Sequence, residues 1–67
     1  MSVARVTEIT AASKKSFDDA MRLGITRANK TLENLKGAWI KSQKIVILDG
    51  EIAEFRVTMK VTFVLKS

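Results

Sequence analysis

Ala53-Glu54-Phe55-Arg56-Val57-Thr58-Met59-Lys60-Val61-Thr62-Phe63-Val64-Leu65 is the stretch that decides the fold. Its odd positions are all apolar, while positions 54 to 62 interleave Glu, Arg, Thr, Lys and Thr at the even ones. A strict period of two over this length describes a strand with one buried face and one wet face. Such a strand runs to about 16 residues from the preceding turn, well beyond the usual 5–6.

Immediately upstream lies Asp49-Gly50, preceded by Ala38-Trp39-Ile40-Lys41-Ser42-Gln43-Lys44-Ile45-Val46-Ile47-Leu48. Asp-Gly between two strand-like runs is a strong hairpin signal, because both residues tolerate the left-handed backbone of a tight turn. Residues 38–48 therefore read as a strand antiparallel to the last one. Further back, Phe17, Ala20, Met21, Gly24, Ala28, Leu32 and Leu35 recur at three- and four-residue steps. That spacing predicts a helix of roughly 20 residues, about 30 Å long, with one apolar face. Ser13 or Ser16 caps it, Asp19 sits in its first turn, and Gly37 is placed to end it. The small residues Gly24 and Ala28 predict close approach to a sheet. Residues 2–10, rich in β-branched side chains, read as a first strand. The expected fold is α+β in the order strand, helix, strand, strand: a three-stranded antiparallel sheet wrapped around one long helix, in a single domain over residues 1–67.

A two-residue turn fixes the register of the hairpin. It places Phe55 opposite Lys44, Val57 opposite Ser42, Met59 opposite Ile40 and Val61 opposite Ala38 on the helix-covered face. The other face then pairs Gln43 with Arg56, Lys41 with Thr58 and Trp39 with Lys60. The only tryptophan in the chain thus falls on the face that the helix leaves bare. Two readings stand for it. It packs in an interface between subunits, or it forms a planar platform flanked by Lys41, Gln43, Arg56 and Thr58, suited to an aromatic ring system.

Composition narrows the function classes. The 67 residues include no cysteine and no histidine, so disulfides, thiolate metal sites and the usual near-neutral general base are missing. No hydrolase serine motif or phosphate-cradling glycine loop is present either, and an enzyme is not expected. A core of this size supplies only a few kcal/mol, and a long strand leaves edges to pair, which together favour assembly of identical subunits. The net charge of +5 comes from 12 basic and 7 acidic residues that form no block. A solvated surface is the expectation, with no nucleic-acid partner. No apolar run has the form of a secretion signal or the length of a membrane span, so the protein is expected to be cytoplasmic with no membrane partner.

Four stretches together resemble the dodecins: Arg5-Val6-Thr7-Glu8-Ile9, Ser16-Phe17-Asp18-Asp19-Ala20, Arg27-Ala28-Asn29-Lys30-Thr31-Leu32, and Phe55 through Phe63. The resemblance covers nearly the whole chain. It implies a hollow homododecamer that binds flavins, riboflavin or its phosphate FMN, in pairs near two-fold axes. A tryptophan sandwiches the flavin ring and a glutamine on the last strand bonds its edge. The implied role is storage, buffering or photoprotection without turnover. Trp39, Arg56, Gln43, Lys41 and Thr58 are the candidate flavin contacts.

This chain departs from the family pattern twice. Gly37 stands where flavin-binding members often have tryptophan, so Trp39 is displaced by about 7 Å along the same face. Arg56 stands where the glutamine would be, and arginine donates hydrogen bonds but cannot accept them. The alternative is therefore a dodecin-like structural or calcium-binding shell without flavin. For calcium, Asp49, Glu51 and Glu54 are the nearest group of oxygen ligands, although a solvated turn is the favoured reading of them. No metal site is assigned.

Overall fold

The computed structural model describes residues 3–65 and has four elements: β1 (Val3–Ser13), α1 (Phe17–Thr31), β2 (Leu35–Leu48) and β3 (Glu51–Leu65). The strands form one antiparallel sheet with β3 in the centre, ordered β1-β3-β2. The β-α-β-β layout is thus the one expected. Central placement of β3 follows from its alternation, since the strand with the cleanest apolar face lies over the core. Val57, Met59 and Val61 of that face are buried to 1 % exposure or less. Val57 and Met59 meet Ala20 of α1, with Ile9, Phe17, Met21 and Ile25 packed around the cluster. Phe17 and Phe55 close one end edge-to-face, with ring centroids 5.1 Å apart.

Both candidate capping serines are used. The Ser16 hydroxyl caps α1 by accepting the Asp19 backbone N–H at 2.9 Å. Ser13, the buried polar residue at the end of β1, accepts the Lys15 N–H at 2.9 Å and donates to the Asp19 carboxylate at 2.5 Å. Asp19 is therefore tied to the strand before the helix as well as to the cap. β1 consequently runs three residues past the expected end at Thr10, as far as Ser13.

The helix is shorter than its apolar spacing suggested. It ends at Thr31 after 15 residues, with Leu32 already extended. The reversal is made by Asn34, whose φ of 59° is left-handed, and Gly37 does not stop the helix. Asparagine tolerates that conformation because its short polar side chain bonds locally. Val64 N–H donates to the Asn34 carbonyl at 3.2 Å, and Leu35 already pairs with Phe63. Ladder pairing with β3 captures residues 35–37, and their helical spacing loses to it.

The turn itself is as expected: Asp49 and Gly50 have φ of 52° and 78°, the left-handed pair that a tight hairpin turn demands. The register beyond it needs correction. Glu51, Ile52 and the stretch from Met59 to Thr62 pair as a tight turn dictates, including Trp39 with Lys60, Ile40 with Met59 and Ala38 with Val61. Between them the pairing is displaced by one residue: Ile45 faces Phe55, Lys44 faces Arg56, Gln43 faces Val57 and Ser42 faces Thr58. Ala53 is an extra residue in β3 and Lys41 an extra residue in β2, so two bulges open and then cancel the shift. A third irregularity lies at Lys36.

The helix packs on β1 and β3. β2 lies outside its cover, and Leu35 and Val46 are its only residues that are not exposed. Pairing of β1 with β3 ends at Ser13 opposite Phe55. Residues 46–54 therefore continue as a two-stranded arm with no third strand beside it.

Candidate functional site

The bare face of the sheet is built in rows by the two ladders. One row runs Trp39, Lys60, Glu8; the next Ser42, Thr58, Thr10; the third Lys44, Arg56, Ala12. Each residue takes its place from the period-two pleat, and the paired bulges keep Trp39 on this face while re-aiming its neighbours. Trp39 is 50 % exposed, a large apolar surface standing in water.

Of the five candidate contacts, the structure gathers four. Lys41, the extra residue of the bulge, reaches across the sheet, and its Nζ bonds Glu8 Oε1 at 3.0 Å. Thr58 lies beside that pair, with its hydroxyl 3.3 Å from the Thr10 hydroxyl. Arg56 forms an ion pair with Glu54 on its own strand. Gln43 does not join them. It stands in register with buried Val57, on the helix side of the sheet, because the extra Ala53 shifts the pairing by one residue and Lys41 restores it only beyond Gln43. Lys44 takes the place expected for Gln43 opposite Arg56, and Ser42 the place expected for Lys41 opposite Thr58.

Sequence reasoning missed Ser42, Lys44, Thr10 and the Glu8 partnership with Lys41. A bulge has no compositional mark here, and which residues of β1 lie beside Trp39 depends on a pairing that no local turn fixes. The face carries four cations, Lys41, Lys44, Arg56 and Lys60, against Glu8 and Glu54. Among the described residues Lys44 and Lys60 have no ion-pair partner. The surface around the indole is thus basic and rich in donors, with hydroxyls and the two carboxylates able to accept. Gly37 lies on the same face beyond Trp39, and a Cβ there would meet nothing within 4 Å. The flank of the indole is open. Elsewhere the Arg22 guanidinium is held above its ordinary pKa by the hydrogen bond it donates to the Asp18 carboxylate and by that carboxylate's charge, on the exposed side of α1.

The asymmetric acid group considered for calcium does not assemble: no cluster of three acidic residues fit to hold a metal occurs among the described residues. Nor is any described helix long and apolar enough to cross a membrane.

Comparison with known proteins places this arrangement. The dodecin family model matches residues 3–66. This chain belongs to the dodecin family. Among solved structures, dodecin from Streptomyces davaonensis is 41 % identical, with a TM-score of 0.94 over 98 % of this chain and 97 % of that one. Dodecin from Streptomyces coelicolor is 33 % identical, with a TM-score of 0.94 over 98 % and 94 %. The calcium dodecin of Mycobacterium tuberculosis, described as having a novel calcium-binding site, is 20 % identical with a TM-score of 0.85 over 96 % and 91 %, a likeness of fold. No curated protein matches the chain.

Proposed function

We propose that this dodecin is a flavin-binding protein of the cytoplasm, holding riboflavin or FMN for storage, buffering or photoprotection in a hollow homododecamer. The observation that carries this reading is the half-exposed Trp39 on the bare sheet face, paired with Lys60, with Thr58 in the next row and Arg56 in the row beyond it. An indole is a stacking surface for a fused aromatic ring, and the residues around it suit the ring's edge. A flavin edge presents carbonyl oxygens and one N–H. Lys41, Lys60 and Arg56 donate to the former, while the hydroxyls of Thr58 and Ser42 donate or accept. When bound, the flavin supplies light absorption and electron transfer; the protein's part is to stack, bond and shield the ring. The reading is of a binding role, with no reaction assigned to any side chain.

Self-assembly is supported by what one subunit leaves uncovered. Trp39, Ile40, Ile45, Ile47, Leu48 and Ile52 are all at least 40 % exposed along one hairpin. That is an apolar surface of the kind that marks an interface. A second copy facing the Trp39 surface would enclose a ligand between two indoles.

A second reading, a shell without flavin, draws on the ion pairs. Arg56 is engaged by Glu54 and Lys41 by Glu8, so two of the flanking donors already have partners. Titration of riboflavin and of FMN with the protein, followed by flavin fluorescence, separates the two. Saturable quenching that disappears in Trp39→Ala while the assembled mass is kept supports the flavin site. Unquenched fluorescence at tens of micromolar protein would leave the shell reading standing.

A further inference from the structure

We propose that the groove between β1 and α1 binds a small amphiphilic anion, a monocarboxylate with a short hydrocarbon tail. The groove lies on the helix side of the sheet, away from Trp39, and the inference does not rest on the flavin reading.

The groove has a volume of about 560 Å³, within the roughly 300–1,000 Å³ of small-molecule sites. Leu23, Gly24, Arg27, Ala28 and Thr31 line it along one stripe of α1. From Leu23 to Thr31 that stripe is about 12 Å long at the standard helical rise. Thr7, Ile9 and Ala11 of β1 alternate with the bare-face residues and form the other wall. Thr10 also borders the groove, but its hydroxyl is 3.3 Å from that of Thr58 on the other face.

The two ends of the groove differ in chemistry. Ala11 and Ile9 approach within 3.0 and 3.6 Å of where a Gly24 Cβ would stand, and Leu23 beside them is 51 % exposed. That end is apolar. A short connection joins β1 to α1, so the two run antiparallel, and Thr7 lies further along, toward Arg27 and Thr31. Arg27 is the one charged residue of the lining and makes no ion pair among the described residues. The Thr31 hydroxyl donates to the Ala28 carbonyl at 3.4 Å, whereas the Thr7 hydroxyl has no partner among the described residues. The polar end therefore presents a guanidinium and a hydroxyl as donors, with no acid competing for them. A carboxylate, which only accepts, fits both. One cation in the lining matches one negative charge. The tail then runs over the low floor of Ala28 and Gly24 toward Leu23 and Ile9. Burial of the tail supplies affinity, and Arg27 selects the headgroup.

Calorimetric titration of the unmodified protein with octanoate, kept below its micelle concentration, tests the site. Octanol, octylamine and acetate are titrated beside it. Saturable binding of one octanoate per subunit is expected, with octylamine and acetate each weaker by roughly tenfold or more. Arg27→Gln should abolish the preference for octanoate over octanol, and Arg27→Lys should restore part of it. Leu23→Asn should weaken octanoate and octanol alike. Arg27 and Leu23 are both exposed, so these variants keep the fold, which circular dichroism verifies. Lys44→Gln, on the basic Trp39 face, is expected to leave octanoate binding unchanged. Absence of saturable octanoate binding, or equal affinity for octylamine, overturns the proposal. Binding that survives Arg27→Gln intact but falls in Lys44→Gln assigns the anion to the Trp39 face and overturns it as well.

Discussion

A Cβ on Gly24 would stand 2.7 Å from Cε of Met59 and 3.0 Å from Cβ of Ala11, so α1 lies on the sheet at a distance only glycine permits. Met59 is 1 % exposed and its end cannot swing into water, and the Ala11 methyl cannot move at all without its strand. Gly24→Ala gains up to about 1 kcal/mol of helix propensity. Overpacking costs about 1–3 kcal/mol, so the net expectation is a loss. Gly37→Ala is the control. Its Cβ has open space, and strand glycine is unfavourable by about 0.5–1 kcal/mol, so this variant should be the more stable one. Urea denaturation of the two at equal subunit concentration checks the pair. Gly24→Ala matching or exceeding the parent would mean that the helix does not ride that close.

Ser13 and Ser16 both act through Asp19, one on its carboxylate and one on its backbone N–H. Ser16→Ala should cost about 1 kcal/mol as the loss of a helix cap. Ser13→Ala removes a hydroxyl bonded to a partly buried carboxylate, and about 1–3 kcal/mol is expected. Because the two bonds hold one residue, the double variant should lose less than the sum, by at least about 0.5 kcal/mol. Strict additivity in the double-mutant cycle would show that the strand-to-helix link and the cap are independent.

The sequence disclosed those features whose physics is local. Alternation from Ala53 to Leu65 marked the central strand, Asp49-Gly50 marked its turn, and Ser16 marked the helix start. Trp39 came out on the bare face because its pairing with Lys60 survives. It survives through two errors of register that cancel, at Ala53 and Lys41, neither visible in residue type. Gln43 fell between those bulges and was misplaced. Leu32 and Leu35 continued the helical spacing past the true end, since nothing local records that β3 would claim Leu35. Glu8 could be found beside Lys41 only once β1 was paired, which is a contact across 33 residues.

Lys41 and Glu8 are joined at 3.0 Å with both side chains about half exposed, so the pair should add little to stability. Lys41→Ala is expected to cost no more than about 1 kcal/mol, and less in high salt. At the flavin site proposed above its effect should be larger, because it removes a donor and leaves Glu8 unpaired on the Trp39 face. Weaker binding of FMN than of riboflavin in this variant, relative to the parent, would be measured by fluorescence titration. An unchanged ratio of the two affinities would remove Lys41 from the ligand's surroundings.

Arg56 and Glu54 make the same question sharper. The Arg56 guanidinium has five donors and no acceptor, and Glu54 already occupies part of it. A flavin edge offers both kinds of group, so a glutamine at this place can serve both while arginine leaves the ring N–H without a partner. Arg56→Gln is therefore expected to tighten riboflavin binding by roughly tenfold, equivalent to about 1.4 kcal/mol. FMN should gain less, since its phosphate loses a nearby cation. Glu54→Gln acts in the reverse sense: it frees Arg56, and FMN should then gain over riboflavin. Titrating both flavins against both variants gives four affinities whose order is fixed in advance. If Arg56→Gln binds riboflavin no better than the parent, Arg56 lies away from the ring edge, and the stacking of Trp39 would have to account for binding by itself.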